Sequence, residues 1–519
     1  MSPVLVVHTM SSDQPPPPDP EPAAKPGRSL TQKTVSGFIW SAGGNAAQVV
    51  LRMLVLAVLA RLLEPSSFGI VSAALIVISL LEVTGQVGTS QAIIQRPDLE
   101  ARDIHTAIGF TALTSCLMGA LIFIFAADTA ALFDMQGVEP AVQLLALAFP
   151  IKGFSVVSEA LLQRWMQFRR LAGITLASYI FGYALVALTL AYLGWGVLAL
   201  VYGQIAQTVL LSLCHIVFTR HVFGFGFHWQ VLKSLLVFSG GVSLARFANF
   251  FAMNADNFIV GRMLGAEALG FYSRAFNFMT MPVGLLGNVL DMVLYPAMSS
   301  IQTEEEKLRR AYLLVVGLIA LTVMPLSALM VALGPEMILI VLGPNWTEAI
   351  LPFQILSSCL LFRVGYKANT ILARAKGAVY RSAWRQWLFA ALVVLGAWAG
   401  HFQGTSGVAA GVGVALAAQF LMMLDFGRRL TSASLGDLAR IHARHLTVAL
   451  LTGGSAYGCA VLLRAYDTPS IAVLFAGAVS AAAAMLAVQL LAPKLYGEEG
   501  EWILTIAIER ISKKDTNLR

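Results

Sequence analysis

The sequence predicts an all-α polytopic membrane protein. Three observations support that prediction: few charged residues, repeated long apolar runs and an internal echo. Of the 519 residues, 57% are hydrophobic and only 12% are charged. Soluble globular proteins carry roughly 25% charged residues, so a water-soluble globule is not expected. The apolar runs are about 20 residues long, which is the length that a transmembrane helix needs.

Apolar windows place about fourteen transmembrane helices along the chain, at roughly 35–58, 68–90, 105–127, 141–162, 173–193, 197–218, 235–259, 275–298, 311–333, 349–373, 383–400, 406–425, 444–463 and 471–491. With both termini inside, about 26 of the 35 Lys and Arg residues fall in cytoplasmic segments and about 4 in outer loops. This bias predicts a multi-pass protein with both termini cytoplasmic. We interpret the net charge of +7 as contact with anionic lipid headgroups rather than nucleic-acid binding.

An internal echo relates the two halves of the chain. The stretch 57–72 is answered by 260–273, and the stretch 161–164 by 371–374. In the first echo, one fixed offset pairs Arg61 with Arg262, Gly69 with Gly270, Ser72 with Ser273, Asn45 with Arg246, Gln48 with Asn249 and Arg52 with Met253. Six predicted helices separate the copies, so both have the same orientation in the membrane. The repeat therefore predicts two parallel, pseudo-symmetric six-helix lobes, with substrate bound between them.

Five segments follow from the repeat and the helix positions. They are a disordered Pro-rich cytoplasmic tail (1–32), an N-terminal six-helix lobe (33–220), a C-terminal six-helix lobe (221–430), two further helices (431–493) and a cytoplasmic tail (494–519). The first segment lacks the basic and apolar regions of a signal peptide, and Pro15–Pro18 opposes any helix there.

Motifs of enzyme chemistry are missing from the sequence. It has no Walker P-loop, Gly-x-Ser-x-Gly, His-Glu-x-x-His or Cys-x-x-Cys pattern, and no Asp-x-Asp of the type that holds a metal–sugar nucleotide. The four cysteines lie far apart in apolar runs, which is typical of inert thiols rather than of metal ligands. We therefore expect a non-enzyme without cofactors or metals.

Polar side chains at membrane depth are the candidate functional groups. Each charged residue at a helix centre costs roughly 2.5–3.5 kcal/mol, so it is expected to face the protein interior or water. The predicted substrate-binding residues are the cations Arg52, Lys152, Arg246, Arg363 and Lys367 and the amides Asn45, Gln48, Asn249 and Asn257. The predicted ion-coupling residues are Glu82, Glu159, Asp256 and Asp291.

The spacing leaves a structural alternative open for these groups. Lys152 and Glu159 are seven residues apart on one helix face and could neutralise one another. For Arg52, Asp256 and Asp291, which lie nearer to helix ends, an ion pair or contact with the membrane surface is the favoured interpretation. The cations of the first and fourth helices of each lobe together predict a cationic cavity for a phosphate-bearing or otherwise anionic substrate.

Several motifs resemble the Wzx-type flippases, the polysaccharide-transporter branch of the multidrug/oligosaccharidyl-lipid/polysaccharide (MOP) superfamily. They are Gly37–Trp40, Leu59–Pro65, Gly88–Arg96, Asn254–Asn257, Ile259–Gly265, Leu269–Ala275 and Leu342–Trp346. The resemblance implies two lobes that open alternately to the two sides of the bacterial inner membrane. It also implies translocation of an undecaprenyl-pyrophosphate-linked oligosaccharide for exopolysaccharide, O-antigen or capsule assembly, driven by an ion gradient. Membrane lipids, a polymerase and a chain-length regulator are the expected partners.

Three other functions remain open from the sequence, and one of them is a scaffold role within the export machinery. A multidrug or cation antiporter of the same superfamily would favour an acidic cavity, whereas here the deep cations outnumber the deep acids. A membrane polysaccharide polymerase or ligase would need a long outer loop or an outer domain, and the predicted outer loops are short.

Overall fold

The computed structural model describes residues 47–85, 89–96, 98–222, 224–497 and 499–500. It describes their side chains except at 84–85, 221, 234–246, 285–289, 291–293 and 379–380. Every regular element in these ranges is a helix, so the predicted all-α class is confirmed. We number the helices α1 (47–62), α2 (Pro65–Gly85), α3 (Thr89–Gln95), α4 (Ala101–Ile124), α5 (Ala126–Phe133), α6 (Val138–Ala146), α7 (Ala148–Arg164), α8 (Phe168–Ala177), α9 (Leu185–Tyr192), α10 (Val197–Thr219), α11 (Trp229–Ser300), α12 (Glu305–Ala332), α13 (Gly334–Val341), α14 (Ile350–Ser358), α15 (Leu360–Ala375), α16 (Val379–Gly400), α17 (Gly404–Thr431), α18 (Leu435–Arg464) and α19 (Ser470–Leu491).

The described helices confirm a protein that crosses the membrane many times. Nine helical segments among the described residues are long and apolar enough to span a bilayer, and the number is ten if the bent pair α6 and α7 is one span. That pair bends by 42° at Leu147. The total of about fourteen spans stays a prediction.

The chain forms two compact units. The first unit contains Val77–Asp128 and Glu139–Arg246 together with Gln48, and the second contains Val49–Ile76, Thr129–Val138 and the chain from Phe247 onward. A core of the first unit packs α3, α4 and α7 through residues such as Ile93, Ile108 and Leu161. In the second unit, α18 and α19 pack on α12 and α13 through Leu333, Ala456 and Val473. The predicted boundaries of the lobes remain sequence-based expectations.

The turn between the first two helices of each repeat, which the topology prediction puts outside and which we call the outer turn, is shorter than predicted. Helix α1 continues to residue 62, and Pro65 opens α2, where its missing N–H and fixed φ suit the first helical position. In the second copy, α11 is broken only at Gly265, whose φ of 88° and ψ of −177° favour glycine. Hydropathy windows miss these extensions because the backbone hydrogen bonds of a helix continue beyond its apolar stretch.

The second echo is a repeated helix end. At the end of α7, the Gln167 N–H donates to the Leu162 carbonyl at 3.0 Å, and Met166 has a φ of 56°. At the end of α15, the Ala378 N–H donates to the Ala373 carbonyl at 2.8 Å, and Gly377 has a φ of 68°. Both ends therefore use a left-handed residue and a six-to-one hydrogen bond to stop the helix.

Candidate substrate and ion sites

Lys152 of the first unit is paired with a carboxylate from another helix. Its Nζ lies 2.5 Å from Oε1 of Glu82 on α2, and the two side chains are 36% and 30% exposed. The sequence had offered Glu159 as a partner, seven residues along α7. Instead, Oε1 of Glu159 accepts a hydrogen bond from Gln163 Nε2 at 3.2 Å. An anion that binds Lys152 therefore has to compete with Glu82.

A polar cavity of about 400 Å³ lies next to Glu159 inside the first unit. Helices α7, α8 and α10 and residue Gln48 of α1 line it. The polar lining side chains are Gln48, Glu159, Gln163, Thr175, Gln207 and His215, and Phe168, Leu171, Ala172 and Leu211 complete the wall. The cavity thus brings together one predicted substrate residue, Gln48, and one predicted ion-coupling residue, Glu159.

His215 is a member of this site that the sequence analysis did not select. Its side chain is only 2% exposed, and neither ring nitrogen has a hydrogen-bond partner in the described residues. The Nε2 of Gln48 is also buried without a partner there. A signal was present in the sequence, because Gln207, Leu211 and His215 recur every fourth residue and so share one face of α10.

Arg363 belongs to a buried network in the second unit. It is 4% exposed, its guanidinium donates to Met253 Sδ at 2.9 Å, and its charge centre lies 4.6 Å from the centroid of the Phe276 ring. Its positive charge acts on Asp256, which is fully buried. Arg363 thus ties α15 to both halves of α11.

Three hydrogen bonds hold the Asp256 carboxylate. Tyr272 Oη donates to Oδ2 at 2.9 Å, and the backbone N–H and side-chain amide of Asn257 donate to Oδ1 at 2.8 and 3.1 Å. Asn257 is itself only 7% exposed. In this structure the polar groups of Asn257 and Asp256 are therefore hydrogen-bonded to each other. Their roles in substrate binding and ion coupling remain predictions.

The remaining predicted residues have different environments. Arg52 and Asn249 are exposed on the second unit, and Lys367 is half-buried one turn after Arg363. Arg246 and Asp291 lie on α11, but their side chains fall outside the description, and Asn45 lies outside the described residues. The predicted cationic cavity as a whole is therefore untested.

An apolar cavity of about 790 Å³ lies in the second unit between α12, α15, α17 and α18. Its lining is almost entirely hydrocarbon and aromatic, with Phe362, Phe420, Leu446, Leu450 and Tyr457 among the contributing side chains. Leu450 and Tyr457 are 65% and 55% exposed, so the cavity opens to the surroundings of the helices.

Comparison with known proteins identifies the family. A family described as "polysaccharide biosynthesis protein" matches residues 58–351, which is more than half of the chain. The chain belongs to this family.

Several curated proteins are similar to this chain over most of their length. The Escherichia coli K12 lipopolysaccharide biosynthesis protein WzxC is 23% identical over 389 residues, covering 74% of this chain and 78% of that protein. The Rhizobium meliloti succinoglycan biosynthesis transport protein ExoT is 26% identical over 62% of this chain and 65% of its own length. The Bacillus subtilis teichuronic acid biosynthesis protein TuaB is 24% identical over 67% of this chain and 72% of its own. The resemblance predicted from the motifs, and a transporter rather than an enzyme, are thereby confirmed.

Solved structures confirm the MOP-type fold. The lipid II flippase MurJ in an inward closed conformation superposes with a TM-score of 0.66 at 12% identity, covering 88% of this chain and 98% of MurJ. An inward-facing multidrug resistance MATE transporter of the MOP superfamily gives a TM-score of 0.52 at 19% identity, covering 78% of this chain and 96% of the transporter. At these identities the likeness concerns the fold alone.

The family match includes both outer turns of the repeat, and the structure brings these turns together within the second unit. A Cβ on Gly69 would lie 1.7 Å from the Ala266 carbonyl oxygen, and one on Gly270 would lie 2.0 Å from that of Pro65. The Oγ atoms of Ser72 and Ser273 are 3.1 Å apart. The contact is symmetric, because each residue touches the equivalent region of the other copy, and only glycine permits so close an approach.

Trp346, from the last of the motifs that carry the resemblance, covers this contact. It is fully buried, its Nε1 donates to the Ala60 carbonyl at 3.0 Å, and its ring packs edge-on against Phe68 and Phe271 with centroids 5.3 and 5.8 Å away. Arg61 Nη2 adds a 2.6 Å hydrogen bond to the Ile340 carbonyl. The motifs that carry the family resemblance here are therefore packing residues.

Proposed function

We propose that this protein is a flippase that moves an undecaprenyl-pyrophosphate-linked oligosaccharide across the bacterial inner membrane by alternating access. The main support for this proposal is the family match over residues 58–351, together with relatives named for lipopolysaccharide, succinoglycan and teichuronic acid biosynthesis. The substrate serves the assembly of an exopolysaccharide, O-antigen or capsule. A polymerase and a chain-length regulator of the same pathway are the expected partners, and both termini lie in the cytoplasm.

The two cavities support a substrate with a lipid part and a sugar part. The apolar cavity of the second unit suits a hydrocarbon chain, because its wall offers almost only carbon surface. The polar cavity of the first unit suits hydroxyl groups, because amide, imidazole and carboxylate side chains line it. A soluble anion, which has no hydrocarbon chain, would not need the apolar cavity.

Lys152 and Glu82 are the pair that we assign to pyrophosphate binding and ion coupling. While Glu82 is ionised, it neutralises the Lys152 ammonium at 2.5 Å. Protonation of the Glu82 carboxylate removes that partner and leaves the ammonium for a pyrophosphate oxygen. Proton uptake and substrate binding are thus linked at one pair, with Arg52, Arg246, Arg363 and Lys367 as the other assigned cations and Asn45, Asn249 and Asn257 as hydrogen-bonding groups.

The test is exposure of a lipid-linked oligosaccharide in reconstituted vesicles. Purified protein is inserted into liposomes that contain the substrate with a labelled sugar, and an impermeant glycosidase is added outside. We expect the label of the inner leaflet to become cleavable over time only in vesicles that contain the protein. Cleavage limited to the outer leaflet, as in protein-free vesicles, would refute the function.

A cross-linked variant supplies the matched control. Ser72→Cys with Ser273→Cys, in a background with the four native cysteines replaced, places two thiols at the contact of the outer turns, whose hydroxyls are 3.1 Å apart. Alternating access requires this contact to separate. We expect oxidation to stop translocation, reduction to restore it, and each single-cysteine variant to be insensitive to both treatments.

A further inference from the structure

We propose that the polar cavity of the first unit is a binding site for one uncharged or amine-bearing sugar ring, with His215, Gln207 and Glu159 as its recognition residues. The proposal rests on the function above for the origin of the sugar, a lipid-linked oligosaccharide. Binding of a free glycoside tests the cavity by itself.

The size and location of the cavity fit a small bound ligand. Its volume of about 400 Å³ lies in the lower part of the range of roughly 300–1,000 Å³ that is usual for small-molecule sites. The end of α7, the start of α8 and the second half of α10 surround it, so regular helices rather than loops position the lining residues. Such a site accommodates one sugar ring and not a whole oligosaccharide.

Unpaired buried polar atoms point to a ligand in this cavity. His215 is 2% exposed and lines the cavity, and both of its ring nitrogens are without a hydrogen-bond partner in the described residues. Gln48 Nε2 is buried in the same way. Because buried polar groups are normally paired, a ligand with several hydroxyls is the natural partner for donors and acceptors on two different helices.

The remaining lining groups match the two faces of a sugar ring. Glutamine amides both donate and accept, the Glu159 carboxylate accepts, and a neutral imidazole does one of each, as sugar hydroxyls also do. Gln163 already donates to Glu159 at 3.2 Å, so it holds that carboxylate in place. Phe168, Leu171 and Leu211 give the apolar wall that the C–H face of a ring can cover.

The charge of the site selects the class of sugar. Glu159 is the one ionisable acid among the residues that line the described cavity. The positive charge of the nearby Lys152 acts on Glu159, but Lys152 is already ion-paired with Glu82 at 2.5 Å. A uronic acid would therefore meet the Glu159 carboxylate of the same sign, beside a cation that already has a carboxylate partner. An uncharged hexose meets no such repulsion, and an amine-bearing sugar gains attraction.

The experiment is saturation-transfer difference NMR on the full chain in lipid nanodiscs. The probes are methyl β-glucoside, the methyl glycoside of glucosamine and methyl β-glucuronide. We expect transfer to the first two and at least about tenfold weaker binding of the glucuronide, because its carboxylate is repelled by Glu159. Equal binding of all three glycosides, or binding of none, overturns the proposal.

Gln207→Leu and His215→Phe are the test variants. Each removes polar atoms and keeps a similar volume, and we expect each to weaken glucoside binding about tenfold. Gln204→Leu is the matched control, since it makes the same change one turn earlier on α10, outside the cavity lining. Thermal unfolding of all three variants checks that they fold. If His215→Phe does not fold, Gln207→Leu alone tests the site. Unchanged binding in both test variants contradicts the site.

Translocation by the same variants separates this inference from the proposed function. If wild-type protein does not translocate but binds glucoside, the function fails and the site stands. If Gln207→Leu translocates normally and no glycoside binds, the site fails and the function stands. If the variants lose only the response to a pH gradient and no glycoside binds, the cavity is a proton site and the sugar assignment is wrong.

Discussion

Helix α7 of the first unit and helix α15 of the second are matched by the repeat, yet they use their polar residues differently. The offset that pairs Arg164 with Arg374 lays Glu159 onto Asn369. Glu159 lines an open polar cavity. Asn369 is fully buried, accepts a hydrogen bond from Tyr312 Oη at 2.8 Å and donates to the Gly365 carbonyl at 3.2 Å.

The packing around the two positions explains this difference. In the second unit, α17 approaches so closely at Gly427 that a Cβ there would lie 2.0 Å from Asn369 Oδ1. In the first unit, the space beside Glu159 is left open and is bordered by His215. One fold therefore supports both a closed polar core and an open polar pocket. The cavity is a property of the first copy rather than of the architecture.

The cations of α7 and α15 offer the strongest test of this contrast. We expect Arg363→Met to lower the free energy of unfolding by about 3 kcal/mol, because it removes a buried charge next to the buried Asp256 carboxylate. We expect Lys152→Met to lower it by about 1 kcal/mol or less, because Lys152 and Glu82 are partly exposed. Thermal unfolding in detergent measures both variants.

The functional readout should separate loss of binding from loss of folding. Lys152→Met should lose most translocation while it stays folded, because it removes the proposed pyrophosphate ligand. Arg363→Lys should recover most of the stability lost in Arg363→Met, because it restores the buried charge. Equal destabilisation by the two methionine substitutions would mean that the units do not differ in the way described.

The sequence predicted the fold class and the repeat well, because both depend on local signals. Apolar runs, Pro65 and the glycines of the outer turns are visible in the sequence, and the structure places Gly69 and Gly270, and Ser72 and Ser273, in contact. The helices on both sides of each outer turn were predicted too short, since hydropathy records apolar length and not hydrogen bonding.

The partners of the ionisable residues could not be predicted from the sequence. Glu82 and Lys152 are 70 residues apart, and Arg363 and Met253 are 110 apart, so no spacing rule links them. His215 was not selected from the sequence, although it shares one face of α10 with Gln207 and Leu211. It becomes a site residue only because α7 and α8 bring Glu159, Gln163 and Thr175 to the same cavity.

Gly427 tests the closed packing of the second unit directly. We expect Gly427→Val to destabilise the protein by about 2 kcal/mol, since the new side chain meets Asn369 Oδ1 and Tyr312 Oη. Gly458→Val on α18 is the control, because a Cβ there meets nothing within 4 Å. Differential scanning fluorimetry compares the two. A tolerated Gly427→Val would mean that α17 can move away from Asn369.

Glu82 tests the exchangeable pairing of the first unit, with the smallest expected effect. We expect Glu82→Gln to bind the lipid-linked pyrophosphate about tenfold more tightly, or about 1.4 kcal/mol, because Lys152 no longer has a carboxylate partner. Translocation should also lose its dependence on a pH gradient, since the proton acceptor is gone. Half-saturating substrate concentration, measured with and without the gradient, checks both effects.

Asp128→Asn, an exposed change in the same unit, should leave both effects unaltered. If Glu82→Gln keeps the full response to the gradient, then coupling lies in another acid, and the pairing of Lys152 with Glu82 is a structural contact like that of Arg363 in the second unit.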